Sequence, residues 1–186
     1  MDSLGNLIGN LIIAPPAVKG NFWYKSVIMI VEHHSQGSIG IVLNKRSHLT
    51  INELGERLDL DIDLPGFVYI GGPVSPNSLS LIHSNDWSCS NTMQLNDEFS
   101  LSSSSEIMKR LSKGDTPKKW RLFFGMCGWA PKQLYKEIKG ISPYTHNTSW
   151  CTVSSDYDLV FESDSRNQWV TSLEKSATEF AQNILI

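Results

Sequence analysis

Ser26-Val27-Ile28-Met29-Ile30-Val31-Glu32, then His33-His34-Ser35-Gln36-Gly37, then Ser38-Ile39-Gly40-Ile41-Val42-Leu43 is the stretch from which the architecture follows. Two apolar, β-branched runs flank a short polar connection that ends in glycine, the composition of buried strands joined by a turn. A parallel crossover needs roughly a dozen residues or more, so the short connection sets the two runs antiparallel. Leu11 to Ala14, bounded by Pro15-Pro16, reads as a further strand ahead of them. The chain therefore begins as β-structure.

Outward from this hairpin, strands and helices intermix. Thr50 and Glu53 have the spacing of a capping box, in which each side chain satisfies a free N–H of the first turn, and Ile51, Leu54 and Leu58 share the face behind it. Phe67 to Ile70 and Leu79 to His83 read as strands joined by the tight Gly71-Gly72-Pro73 loop. Ser84 to Ser105, rich in serine and asparagine, reads as a surface excursion with one short strand. Ser103 with Glu106 predicts a helix of about three turns ending at Gly114. Trp120 to Gly125 reads as a buried strand, and Pro131 as the first turn of a helix carrying Leu134, Tyr135 and Ile138. Trp150 to Val153 is a late strand. Ser165 and Gln168 cap a last helix whose Val170, Leu173, Ala177, Phe180, Ala181 and Ile184 form one stripe that closes the domain against its core. No strict βαβ alternation is present, so the class is α+β, in a single domain over residues 1–186.

The bulk numbers bound the function. A length of 186 residues lets one core form without staples. A net charge of -3 sets the long-range field against a phosphate backbone. Three cysteines, Cys89, Cys127 and Cys151, form no C-x-x-C pair, so neither a zinc ribbon nor a disulfide framework is expected and the thiols read as reduced. Leu11 to Ala14 is too short for a signal core and lacks a basic segment before it, and no run reaches the roughly 18 apolar residues of a membrane span. A cytoplasmic protein with no membrane association is the expectation.

The chemistry-bearing residues stay scattered. Cys127, between a strand end and a helix start, stands where a nucleophile elbow would place a thiol, yet no base lies beside it, and a small buried hydrophobe in a glycine turn explains it better. Glu32-His33-His34 alternates across a strand and so does not converge on one ion, while His48, His83 and His146 occur singly; no metal site and no cofactor are expected. Gly71-Gly72-Pro73 lacks the spacing of a phosphate loop. Lys109, Arg110, Lys113, Lys118, Lys119 and Arg121 form one basic cluster, interrupted by acids and without a helix-turn-helix behind it, which reads as a solvated face before it reads as a nucleic-acid surface.

Spelling supplies a resemblance that spacing does not. Gly9-Asn10-Leu11-Ile12-Ile13-Ala14, Ser26-Val27-Ile28, Glu32-His33, Gly37, Gly40, Leu43-Asn44, Gly71-Gly72-Pro73-Val74, Leu81-Ile82-His83 and Gly125-Met126-Cys127-Gly128-Trp129 with Gln133-Leu134 occur in this order, extended by Trp150-x-Thr152-Val153, Phe161 and Trp169. The chain resembles the YqgE/AlgH family from about Gly9 to Trp169. The resemblance implies a bacterial cytoplasmic protein with an α+β fold: a bifurcated mixed sheet, part of it barrel-like, flanked by helices. It brings no established activity, and some members bear a transcriptional-regulator label that no DNA-reading element in this chain supports. Where the family usually reads Gly-Tyr-Ala-Gly-Trp this chain has Met126 and Cys127, so the thiol is not a family feature. Gly20 stands in place of a usual Asp, Lys45-Arg46 in place of a pair that commonly includes proline, and Ala130-Pro131-Lys132 in place of a more glycine-rich stretch.

The resulting expectation is a non-enzymatic binding or regulatory domain with no catalytic residue. Asn44, Gly71, Gly72, Pro73, Gly128, Trp129 and Gln133 line a site for a small molecule or protein partner. Two alternatives stand beside it: a hydrolase-type enzyme drawing on His83, Cys127 or Asp156, and a DNA-binding regulator using the basic cluster.

Overall fold

The computed structural model describes residues 6–144 and 150–184. The fold is the α+β class expected: a branched mixed sheet, antiparallel strands that curl into a half-barrel, and flanking helices. The chain forms two compact units, one made of residues up to Asn44 and from Cys127 onward, the other of Lys45–Met126.

The first unit holds β1 (Leu11–Ile13), β2 (Val27–His34), β3 (Gly37–Val42) and β10 (Cys151–Val153). The order is β10-β1-β2-β3, antiparallel throughout, and β3 continues onto residues 127–129 of β9 (Trp120–Trp129) through Ser38↔Trp129 and Gly40↔Cys127. The hairpin read from the sequence is thus the centre of this sheet. Val27 to Val31 are buried without alternation, because both faces of β2 are covered. A bulge between Ile30 and Glu32 shifts the register before the turn.

Helix α3 (Gln133–Lys139) packs against β3, and α4 (Gln168–Ile184) against β10, β1 and β2. A short π-helical turn, Asp158–Glu162, precedes α4, and Gln168 ties the two by donating to the Leu159 carbonyl at 2.8 Å. The stripe expected to seal α4 does not do so: Phe180 is 69% and Ile184 66% exposed, and the buried residues are Gln168 and Ser172. The helix docks instead through polar contacts with the edge strand. Ser176 donates to the Thr152 carbonyl at 3.0 Å, Lys175 to the Ser154 carbonyl at 2.8 Å, and the Ser154 N–H donates to Glu179 at 3.1 Å. Backbone groups left over at a sheet edge need partners, and satisfying them fixes which side of α4 faces inward.

The second unit is built on residues 120–126 of β9, which lie between β5 (Phe67–Ile70, parallel) and β6 (Val74–Ser84, antiparallel). Beyond β6 come β8 (Phe99–Ser102) and β7 (Thr92–Gln94), and β4 (Arg46–Thr50) pairs with β5. The serine-rich excursion therefore contributes two strands rather than one. Its hydroxyls bond along the sheet, as Thr92 Oγ1 and Ser102 Oγ do at 2.7 Å. Helices α1 (Ile51–Arg57) and α2 (Ile107–Leu111) cover a core that includes Leu54, Val68, Leu81, Ile107 and Leu122.

The capping box on α1 is present as read, with Glu53 N–H donating to Thr50 Oγ1 at 3.1 Å and Thr50 N–H to Glu53 at 2.8 Å. The one expected on α2 is not: that helix has five residues, and Ser104, not Ser103, accepts the Glu106 N–H at 3.1 Å. At α3 the residue before the first turn is Lys132 in the left-handed region (φ 63°), so Pro131 lies outside the helix.

Two glycines of this unit share φ +74° but not their surroundings. A Cβ on Gly114 would meet nothing within 4 Å, whereas one on Gly125 would lie 2.2 Å from the Gly72 carbonyl oxygen. Gly114→Ala is therefore expected to cost about 1 to 2 kcal/mol from backbone strain alone. Gly125→Ala should cost at least about 2 kcal/mol more through overlap, measured as the difference in denaturant midpoints.

Candidate functional site

Trp129, the last residue of β9, organises the first unit's cavity. Its ring lies over β3 because Gly40 has no side chain: a Cβ there would sit 3.1 Å from the Trp129 ring and 2.8 Å from Ile28 Cγ2. Gly37 serves the same approach, since a Cβ on it would fall 2.5 Å from the Trp129 carbonyl oxygen. The indole Nε1–H donates to Glu137 at 3.1 Å, and Gln133, the first residue of α3, donates to the other oxygen of Glu137 at 2.8 Å. The Gln133 side-chain oxygen accepts the Ala130 N–H at 3.0 Å, fastening the entry to α3. The i, i+4 spacing of Gln133 and Glu137 puts both on the helix face towards Trp129.

Around this frame lies a cavity of about 150 Å³, lined by Trp23, Trp129, Trp150, Gln133, Glu137 and the rim residues Asn21 and Gly128, with Val18. The Trp23 centroid is 6.5 Å from that of Trp129 and 6.3 Å from that of Trp150, the latter pair edge-to-face. Glu137 is 9% and Trp150 6% exposed. Among the described residues Trp150 Nε1 has no hydrogen-bond partner although it is buried, and Glu137 makes no ion pair.

Of the residues singled out in the sequence, Gly128, Trp129 and Gln133 line this cavity; Asn44 and Gly71-Gly72-Pro73 do not. Asn44 is a clamp: it accepts the Val27 N–H at 3.1 Å and donates to the Lys25 carbonyl at 2.8 Å, holding Lys25 in its left-handed turn (φ 53°). Gly71 and Gly72 belong to the second unit, where Gly71 N–H donates to the Phe124 carbonyl at 2.7 Å and Gly72 abuts Gly125. Trp150 is marked in the sequence only within Trp150-x-Thr152-Val153 and not as a site residue, and Trp23 and Glu137 carry no motif spacing; a tryptophan in a loop and a glutamate in an amphipathic helix look ordinary until folding brings them together.

The candidates for an enzyme have settled surroundings of their own. Cys127 lies inside β9, not at an elbow, and is fully buried; burial pushes its thiol up to about 12, against a smaller opposing pull from the Val42 backbone. His83 is buried, bonded to the Ser84 carbonyl and to Ser102 Oγ, both at 2.8 Å, and its pKa is lowered by burial. Asp156 pairs with Lys175 and accepts the Leu159 N–H at 2.8 Å. His146 lies outside the described residues, and among those described no three His, Cys, Asp or Glu side chains converge on a metal-sized site.

In the basic cluster Arg110 is held by Asp115 at 2.6 Å, by the Ser88 carbonyl and by the Trp87 ring, and Arg121 lies over the Tyr69 ring. Lys109, Lys113, Lys118 and Lys119 are exposed. No helix among the described residues is long and apolar enough to cross a membrane.

Cys127 should resist alkylation in the native protein while Cys89 reacts first. Burial raises the Cys89 pKa, but hydrogen bonds from Ser102, Asn91 and Thr92 and the Arg110 charge outweigh it and lower the value overall. The folded-state value of Cys127 exceeds the ordinary 9.0, so the unfolded chain ionises first; its contribution to stability is whole below about pH 9 and declines as pH rises towards 12. Cys127→Ala is expected to flatten that alkaline decline by up to about 1.4 kcal/mol per pH unit, read from denaturation at pH 8 and pH 10.

Comparison with known proteins places the chain among relatives. UPF0301 proteins from Shewanella loihica and Shewanella denitrificans are 29% and 30% identical over 179 residues, covering 94% of this chain and 91% and 92% of theirs. The solution structure of AlgH from Pseudomonas aeruginosa superposes with a TM-score of 0.74 at 26% identity, over 93% of this chain and 90% of that one. A crystal structure of DIP2367 from Corynebacterium diphtheriae shares the fold at a TM-score of 0.68 and 23% identity, over 87% and 82%. The AlgH-like family model matches residues 11–181, and the chain belongs to that family.

Proposed function

We propose that this protein is a non-enzymatic binding domain whose ligand site is the tryptophan-walled cavity of the first unit. One observation carries the reading: three indoles and the Glu137 carboxylate line one cavity, and one of those indoles, Trp150, has a buried Nε1–H with no acceptor among the described residues. An unmade hydrogen bond at a buried donor costs about 1 to 3 kcal/mol, a cost that a ligand acceptor removes. A cavity of about 150 Å³ matches one small ring or a branched head group, and indole walls with a few polar groups suit such a ligand.

Trp129 is a poor probe of this site, because it is 7% exposed and belongs to the core; its alanine variant is expected to lose about 3 to 5 kcal/mol of stability. Trp150→Phe removes the donor and keeps an aromatic ring. A screen of fragments of up to about ten heavy atoms, read from the indole N–H resonances, is expected to yield ligands that shift the signals of Trp129 and Trp150 together. Trp150→Phe, which shrinks a side chain of the same core cluster and so costs about 1 to 3 kcal/mol of stability, should then weaken their binding about five- to ten-fold on protein that circular dichroism shows to be folded. The reading fails if no fragment shifts either signal, or if Trp150→Phe leaves affinity unchanged.

A further inference from the structure

We infer that the ligand of this cavity is a small methylated ammonium ion carrying an oxygen acceptor; the inference rests on the binding reading above and adds its chemistry. The cavity contains one buried carboxylate, Glu137, whose two oxygens accept from neutral donors, Trp129 Nε1 at 3.1 Å and Gln133 Nε2 at 2.8 Å. Among the described residues no lysine, arginine or histidine pairs with it. A carboxylate removed from water is costly unless a cation compensates it. The compensating charge is therefore expected from the ligand.

The walls point the same way. Three indoles, Trp23, Trp129 and Trp150, surround the space, and indole faces attract cations more strongly than the other aromatic rings do, most of all where water is excluded. A primary ammonium needs three acceptors close around it, and the side-chain acceptors in this lining are few and already in use: Glu137 takes an N–H on each oxygen, and the Asn21 and Gln133 oxygens accept the Trp23 and Ala130 N–H groups. A quaternary ammonium needs none, gains from the indoles and the Glu137 charge, and places its methyl groups on apolar walls. A trimethylammonium head with a short tail fits a space of about 150 Å³. The Trp150 Nε1–H, on a ring that lines the space and without an acceptor among the described residues, is the donor assigned to a hydroxyl or carboxylate oxygen on the tail.

The test compares choline and glycine betaine with 3,3-dimethyl-1-butanol, the uncharged isostere of choline, by calorimetry and tryptophan emission on the full chain. The cations are expected to bind about ten-fold more tightly than the isostere. Glu137→Gln should remove that ratio, whereas the exposed control Glu56→Gln keeps it. Should Glu137→Gln not fold, judged by circular dichroism, the ratio measured on the wild-type protein decides. Equal or tighter binding of the isostere overturns the cation assignment and leaves the binding reading standing. If the cations fail to bind while the fragment screen yields cavity ligands, the assignment alone falls; if neither binds, both fall.

Discussion

The seating of Trp129 over Gly40 is the constraint on which the first unit depends. A nine-atom indole ring system can lie against the β3 backbone only where no Cβ stands; Gly40 clears that ground, and Gly37 makes room for the Trp129 carbonyl. Once seated, the ring must satisfy its N–H within the core, and Glu137 does so from α3. One contact therefore fixes the end of β9 on β3, sets the rotation of α3, and draws a carboxylate out of water. Gln133 completes the arrangement by holding both Glu137 and the turn before the helix. The polar groups are placed by the need to accommodate a large aromatic side chain, and the cavity is the space left beside it.

The same accounting of polar groups governs the far edge of that sheet. β10 ends the strand order, and the Thr152 carbonyl meets Ser176 of α4 while the backbone of Ser154, just beyond the strand, meets Lys175 and Glu179. This explains why α4 buries Ser172 and Gln168 and leaves Phe180 outside: with the edge strand demanding polar partners, the amphipathic pattern alone does not decide which face turns inward. In the second unit the hydroxyls of the serine-rich segment do comparable service between β7 and β8. A composition that suggests a loop becomes sheet when each hydroxyl finds a neighbour across the strands.

Local signals were legible wherever they were complete in a few residues. The hairpin of β2 and β3 and the capping box of α1 needed only neighbouring residues to specify them, and they stand as read. Gly125 to Trp129 was misleading because glycines mark both turns and close approaches; here the strand continues through them, with Gly125 making room for Gly72. Ser103 and Glu106 had the spacing of a cap, but Ser104 lies closer to the free N–H. Gly128, Trp129 and Gln133 were visible through family spelling. Trp150 was visible only as part of that spelling, and Trp23 and Glu137 were not visible, since no periodicity links a loop residue to a helix residue more than a hundred positions further along the chain.

By itself the sequence determined the class, the antiparallel start, the family and the lack of a locally spelled catalytic motif, because each of these rests on patterns a few residues long or on their order. Tertiary structure alone decided that Cys127 is inert core, that α4 faces the sheet with its polar side, and that three indoles and a carboxylate share one cavity. Burial and convergence are properties of distance in space, and a chain read in one dimension holds no record of which far-apart side chains will be desolvated together.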